Sequence, residues 1–172
     1  MADASPTGTA DSGPGRLALR AALDADIAIF FAHQNDAVAA HMAAFTGANS
    51  SDLPAFRLRW RRLLADETVI IRTITVNGIV AGHVLSYEAD EKPEVSYWIG
   101  REFWGQGVAT GALTLFLRTV NRTRPIYARA AADNAASLRV LQKCGFALLG
   151  RERGFANARQ AEIDELLLVL TA

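Results

Sequence analysis

Gly105-Gln106-Gly107 follows a strand-like run and opens a segment with helical spacing of apolar residues, the context in which two close glycines can do chemistry. Glycine leaves backbone N–H groups bare, and the positive end of the following helix points the same way, so the turn suits a phosphorylated ligand. Two glycines here are equally compatible with a plain turn. A dinucleotide site has one supporting feature, Asp133 after the run Ile126 to Ala132, where a ribose-binding acid could sit. Against it, Thr110 stands where a third glycine belongs, and too few strand–helix units follow for a doubly wound sheet.

Other chemistry-bearing residues narrow the choice. Cys144 is the only cysteine, which excludes an intramolecular disulfide, and no histidine accompanies it in sequence, so it reads as a packed residue rather than a nucleophile. His33, His41 and His83 lack metal-ligand spacing, so no metal is expected. Arg57, Arg59, Arg61 and Arg62 resemble a recognition stripe until the flanking Asp52, Asp66 and Glu67 are weighed, and a solvated helix face fits them better.

The 172 residues carry no formal net charge and are 51% hydrophobic. That length suits one domain with a full core, and a neutral surface field gives no pull toward nucleic acid or an anionic membrane. No apolar run approaches the ~20 residues that span a bilayer, and the first residues lack a secretory pattern, so a cytoplasmic protein is expected. Residues 1–15, rich in Gly, Pro, Ser, Thr and Ala, are expected to form a disordered tail, with one domain over 16–172.

Positioning elements follow from periodicity. Leu17 to Ala21 alternates as a first strand, and Asp24 to about Phe45 suits a helix or broken helix. Asp52 is a candidate N-cap, with Pro54 in the first turn of a helix reaching Leu64. Thr68 to Val76 and Ile79 to Glu88 flank Asn77-Gly78, a two-residue hairpin signal, and Glu94 to Gly100 is a third strand. Gly107 to about Val120 reads as a helix and Ile126 to Ala131 as a strand, a parallel crossover. Asn134 to Lys143 is a helix stopped by Gly145, and Phe146 to Arg153 and Ile163 to Leu170 close the sheet around the loop GFANARQ.

Two of these segments together resemble the GNAT acetyltransferases, in the branch similar to ribosomal-protein N-terminal acetyltransferases. Trp104-Gly105-Gln106-Gly107-Val108-Ala109-Thr110 is similar to that family's pyrophosphate-binding turn. Asn134-Ala135-Ala136-Ser137-Leu138-Arg139-Val140-Leu141-Gln142-Lys143-Cys144-Gly145-Phe146 resembles the branch's second signature, and the likeness covers roughly Val69 to Leu170. It implies an α+β GNAT fold: a central, mostly antiparallel, twisted sheet of six or seven strands with a splayed parallel pair, and helices on both faces.

The resemblance further implies acetyl-CoA as cosubstrate, without a metal, and direct attack by a primary amine from a protein N-terminus or a small molecule. Such a transfer must deprotonate an ammonium, stabilise an oxyanion and ease departure of a thiolate. By resemblance, Trp104 to Thr110 hold the pyrophosphate, the backbone of Tyr97, Trp98 and Ile99 holds the pantetheine and polarises the thioester, and Glu94 is the base. Leu141 departs from the commonest pattern, which has a tyrosine there; the related branch suggests Ser137 as the group that meets the sulfur. Asn134 would cap its helix and bond the pantetheine, while Arg139 and Lys143 would meet phosphates or form a solvated face. His33, Gln34, His41 and Phe45 are candidates for the acceptor pocket or for plain core packing. Homodimers are common in the resembling branch, and a monomer is the other possibility. A rival reading is a GNAT-fold module that binds coenzyme A without turnover.

Overall fold

The computed structural model describes residues 15–172, so the tail expected over 1–15 lies outside the described residues apart from Gly15. In chain order come β1 (Leu17–Ala21), α1 (Ile27–Gln34), α2 (Ala37–Ala43), α3 (Leu53–Ala65), β2 (Ile70–Val76), β3 (Ile79–Ala89), β4 (Lys92–Ile99), α4 (Val108–Thr119), β5 (Ile126–Ala131), α5 (Ala135–Lys143), β6 (Ala147–Ala156) and β7 (Ala161–Leu170). The strands form one seven-stranded sheet in the order β1-β2-β3-β4-β5-β7-β6. Every neighbouring pair is antiparallel except β4 with β5.

Local chemistry accounts for these elements. Asn77 and Gly78 both take positive φ, 52° and 79°, which turns β2 tightly into β3. The segment from Asp24 to Phe45 is broken: a short 3₁₀ turn (Asp24–Asp26) precedes α1, and Asp36, in extended conformation, accepts from the Ala39 N–H to start α2 afresh. Asp52 caps α3 through the Ala55 N–H at 3.2 Å, and Gly145, at φ 93°, ends α5. The closing hairpin is longer than its sequence suggests, because Gly154 and Phe155 pair with Ile163 and Glu162 and leave only Asn157 to Gln160 as the turn.

Side chains alternate across the sheet and feed two apolar layers. On one face Val84, Val95, Ile99, Ile126 and Leu168 pack with Leu113 and Phe116 of α4 and Leu141 of α5. On the other, Ile71 and Leu85 pack with Ile27 and Phe30 of α1 and with Phe56 and Trp60 of α3. His83 lies in this second layer between Phe30 and Trp60, at 4.7 and 4.6 Å between ring centroids, and burial pushes its pKa down to about 3, so it stays neutral. The turn after β6 is tied to the end of α2: Asn157 Nδ2 donates to the Thr46 carbonyl, the Ala158 N–H to that of Ala44, and Arg159 Nε to that of His41.

Asp26 fastens the first edge. Its buried carboxylate accepts from Arg20 at 2.7 and 2.8 Å, from the Leu23 N–H and from Thr73 Oγ1, joining β1, α1 and β2. Burial raises its pKa, but those donors together outweigh it and leave it below the ordinary carboxylate value. A depressed carboxyl pKa stabilises the fold above the unfolded value of about 4, and that contribution is lost as pH falls through the folded value. Asp26→Asn should therefore cost about 2–3 kcal/mol at pH 7. In urea unfolding the gap from the parent should shrink below pH 4; a gap independent of pH would contradict the assignment.

Candidate active site

The sheet is open along its middle. β4 pairs with β3 from Lys92 to Ile99 and β5 pairs with β7 from Ile126 to Ala131, yet β4 and β5 are in register at one pair, Glu94 and Tyr127. Beyond that pair, Val95 to Ile99 and Ala128 to Ala131 form the two walls of a seam. Alternation sends Val95, Tyr97 and Ile99 toward α4 and α5, and places Glu94, Ser96 and Trp98 on the face of α1 and α3. The seam thus has a different set of side chains on each face of the sheet.

The glycine turn lies at the far end of β4. Gly105 and Gly107 have φ of 72° and 75°, a conformation costly for other residues, and a Cβ on either would meet no atom within 4 Å. The space that a side chain at either position would take is therefore open. Gly107 starts the twelve-residue α4 without a side-chain cap, which leaves the first-turn N–H groups of Val108, Ala109 and Thr110 without a side-chain partner. Trp104 Nε1 donates to the Ile99 carbonyl at 2.9 Å and Gln106 Nε2 to the Glu102 carbonyl at 3.0 Å, so both side chains brace the turn.

Glu94 sits where the seam closes. It is 6% exposed, and its Oε1 accepts from Arg129 Nε at 3.0 Å while Oε2 accepts from the Tyr87 hydroxyl at 3.4 Å. Arg129 also meets Glu152 at 2.9 Å and Glu165 at 3.5 Å, one guanidinium among three carboxylates. The bond to Glu94 raises the Arg129 pKa further, and burial followed by the Glu94 charge pushes Tyr87 up to about 12. Burial also raises Glu165, against the pull of Arg129. At neutral pH Arg129 is a fixed cation and Tyr87 a fixed donor.

The start of α5 stands on the other side of the seam. Asn134 Oδ1 accepts from the Ser137 N–H at 3.1 Å, and its Nδ2 donates to the Met42 carbonyl at 3.1 Å, so one amide caps α5 and ties it to α2. Ser137 is half-buried, and its Oγ lies 2.8 Å from the Tyr97 hydroxyl. Leu141 is buried in the core one turn further along.

A family model described as an acetyltransferase (GNAT) domain matches residues 16–147. The chain belongs to the GNAT acetyltransferases. YdaF of Bacillus subtilis (strain 168), named for a proposed ribosomal N-acetyltransferase activity, is 31% identical over 101 residues, which span 55% of this chain and 55% of YdaF. The match thus spans about half the length of that relative. Among solved structures, the ribosomal-protein-alanine N-acetyltransferase of Brucella melitensis is similar over 90% of this chain and 99% of its own, with a TM-score of 0.75 at 22% identity. The acetyltransferase-like YncA of Salmonella typhimurium, solved with acetyl-CoA as its cofactor, is similar over 90% and 93%, with a TM-score of 0.71 at 23% identity. At these identities the two structures speak for the GNAT fold alone.

Within this GNAT chain the residues read from sequence fall into distinct groups. Tyr97 to Ile99, the turn from Trp104 to Thr110, and Asn134 with Ser137 lie along the seam and its ends. Arg139 and Lys143 are exposed on α5, and neither makes a salt bridge or side-chain hydrogen bond among the described residues. His33 is buried beneath the turn, with Nε2 3.3 Å from Glu102 Oε1 and its ring against Gly100, while its carbonyl accepts from Trp98 Nε1. Gln34 is half-buried beside it, His41 is exposed at the end of α2, and Phe45 packs with Ile163 over Ala131 and Ala156. Cys144 is half-buried 3.5 Å from Thr114 Oγ1, and burial raises its thiol pKa, as fits a packed residue. Among the described residues no group of three His, Cys, Asp or Glu is placed to hold a metal ion.

Arg129 is the residue sequence reading missed. Its signal was present: it is the only charge in Ile126-Tyr127-Ala128-Arg129-Ala130-Ala131, an otherwise uncharged strand. Removing it leaves the buried Glu94 and the half-buried Glu165 without their cation, so Arg129→Met should cost about 2–3 kcal/mol at pH 7. The deficit should narrow toward pH 4 as Glu165, whose carboxyl pKa burial already raises, takes up a proton. Urea denaturation at the two pH values checks both statements, and full stability at pH 7 would show that the carboxylates tolerate one another unaided.

Proposed function

We propose that this protein transfers an acetyl group from acetyl-CoA to a primary amine by direct attack within a ternary complex. The observation that carries the reading is the unpaired seam between β4 and β5, which runs from the uncapped start of α4 to Glu94. The fit is physical: left-handed glycines whose missing Cβ atoms would point into open space, helix N–H groups without a cap, and strand backbone free to bond an extended arm. Bound acetyl-CoA would supply an activated acyl group and a thiolate leaving group.

The chain's own residues divide the work. N–H groups from Gly105 to Thr110 take the pyrophosphate, and backbone groups of Tyr97, Trp98 and Ile99 align the arm and polarise the thioester carbonyl. Trp104 already occupies the Ile99 carbonyl, which leaves the other groups of that wall for the arm. Glu94, on the face of the sheet away from α4, receives the proton that the attacking ammonium gives up, through an intervening water. As the new C–N bond forms and the C–S bond breaks, the Ser137 hydroxyl stabilises the departing sulfur. The name of YdaF lends support to a protein N-terminus as acceptor, with small-molecule amines as the competing class.

The rival, a module that binds coenzyme A without turnover, draws on the Glu94–Arg129 ion pair and on Leu141, which offers no hydroxyl. Thiol release from acetyl-CoA across a panel of peptide and small amines separates the two. Glu94→Gln should lower kcat by roughly 10²-fold with coenzyme A affinity intact. Gly107→Ala, which strains the backbone by about 1 kcal/mol and puts a methyl into the open space, should instead weaken coenzyme A binding at least about tenfold. Tight binding without thiol release for any amine would favour the module, and no binding of coenzyme A would overturn the reading.

A further inference from the structure

Ser137 does not stand alone at the seam. Its hydroxyl lies 2.8 Å from that of Tyr97, and the Tyr97 hydroxyl is also 3.4 Å from the Ser137 carbonyl. Among the described residues these two contacts, both through the Tyr97 hydroxyl, are the only side-chain hydrogen bonds between β4 and α5, so they span the two structures that flank the proposed arm. We propose that Tyr97 is a positioning residue for acetyl transfer: its phenol donates to Ser137 Oγ and thereby aims the Ser137 hydrogen at the departing sulfur. The proposal rests on the acetyltransferase reading above and assigns Tyr97 a side-chain role in addition to a backbone one.

The geometry gives the phenol a defined partner. A serine hydroxyl has three staggered χ1 positions and a free O–H rotor, and a partner at 2.8 Å on one side selects among them. Asn134 already fixes the Ser137 N–H, so backbone and side chain are held by separate groups. Tyr97 packs against the α4 and α5 core layer, where burial pushes its pKa up to about 12. It therefore stays protonated through the working range and keeps its hydrogen available for Ser137 Oγ, rather than serving as a source of protons. A hydroxyl that accepts one hydrogen bond becomes a stronger donor in the next, which raises what Ser137 can offer a developing thiolate.

Tyr97→Phe removes one oxygen and keeps the ring. It should lower kcat about tenfold while KM for acetyl-CoA and the dissociation constant for coenzyme A each stay within about threefold. Since the two hydroxyls act as one unit, Tyr97→Phe combined with Ser137→Ala should be no slower than Ser137→Ala alone. Incorporation of 3-fluorotyrosine at position 97, a slightly stronger donor of nearly the same shape, should restore kcat to the parent value or above at pH 7.

Parent-like kcat in Tyr97→Phe, or losses that multiply in the double variant, would overturn the proposal. If Tyr97→Phe fails to fold, the fluorotyrosine protein decides: kcat at or above the parent supports the donor role, and a drop overturns it. A parent chain that releases no thiol from acetyl-CoA overturns this proposal together with the acetyltransferase reading, whereas an active parent indifferent to Tyr97 overturns this one alone.

Discussion

Two strands in the middle of a sheet that stop pairing leave backbone donors and acceptors without their usual partners, and the rest of the fold is arranged around that defect. A buried peptide group without a partner costs more than a typical hydrogen bond gains, so an open seam survives only if each wall is fixed from behind. Here each wall is fully laddered on its outer side, β4 to β3 and β5 to β7. The crossover helix α4 packs on one face and buries Leu113 and Phe116 in the layer shared by both walls. Chain that enters the seam in extended form would find bonding groups already aligned, at little cost in reorganisation.

Charge fixes the point where the seam closes. Glu94 and Tyr127 form the single parallel pair, and Arg129, two residues further along β5, reaches back to Glu94 across the junction. One guanidinium shared among three carboxylates leaves the cluster anionic, on the face opposite the glycine turn. The two ends of the seam therefore differ in kind: bare N–H groups at one, carboxylates at the other. An anionic group and a cationic one would be drawn to opposite ends of the same opening.

Much of this was legible in the chain. Asn77-Gly78, Asp52 with Pro54, and Gly145 each specify local backbone geometry by themselves, and the turns they mark occur where expected. The glycine turn and the start of α5 were readable for the same reason: both are short contiguous motifs whose chemistry is mainly backbone. Asn35 and Asp36 bond nearby backbone and break the segment from Asp24 to Phe45 into separate helices, one of the two forms its periodicity allowed. What escaped was long-range. Arg129 gains its meaning from Glu94, 35 residues away, and the Tyr97–Ser137 bond spans 40. No window of sequence contains either pair, and only the ladder register brings them together. His33, readable from sequence as either a pocket or a packing residue, is buried against Gly100 with its Nε2 3.3 Å from Glu102 Oε1, contacts no local pattern announces.

The turn after β6 joins the end of α2 through Asn157, Ala158 and Arg159, and Arg159 also clamps Asp133 in a two-bond ion pair just before α5. Three stretches far apart in the chain thus make one mechanical piece at the end of β5. For evolutionary change this has a cost. A substitution in any one stretch alters the footing of the other two, so changes there are epistatic and would accumulate as matched sets rather than one residue at a time.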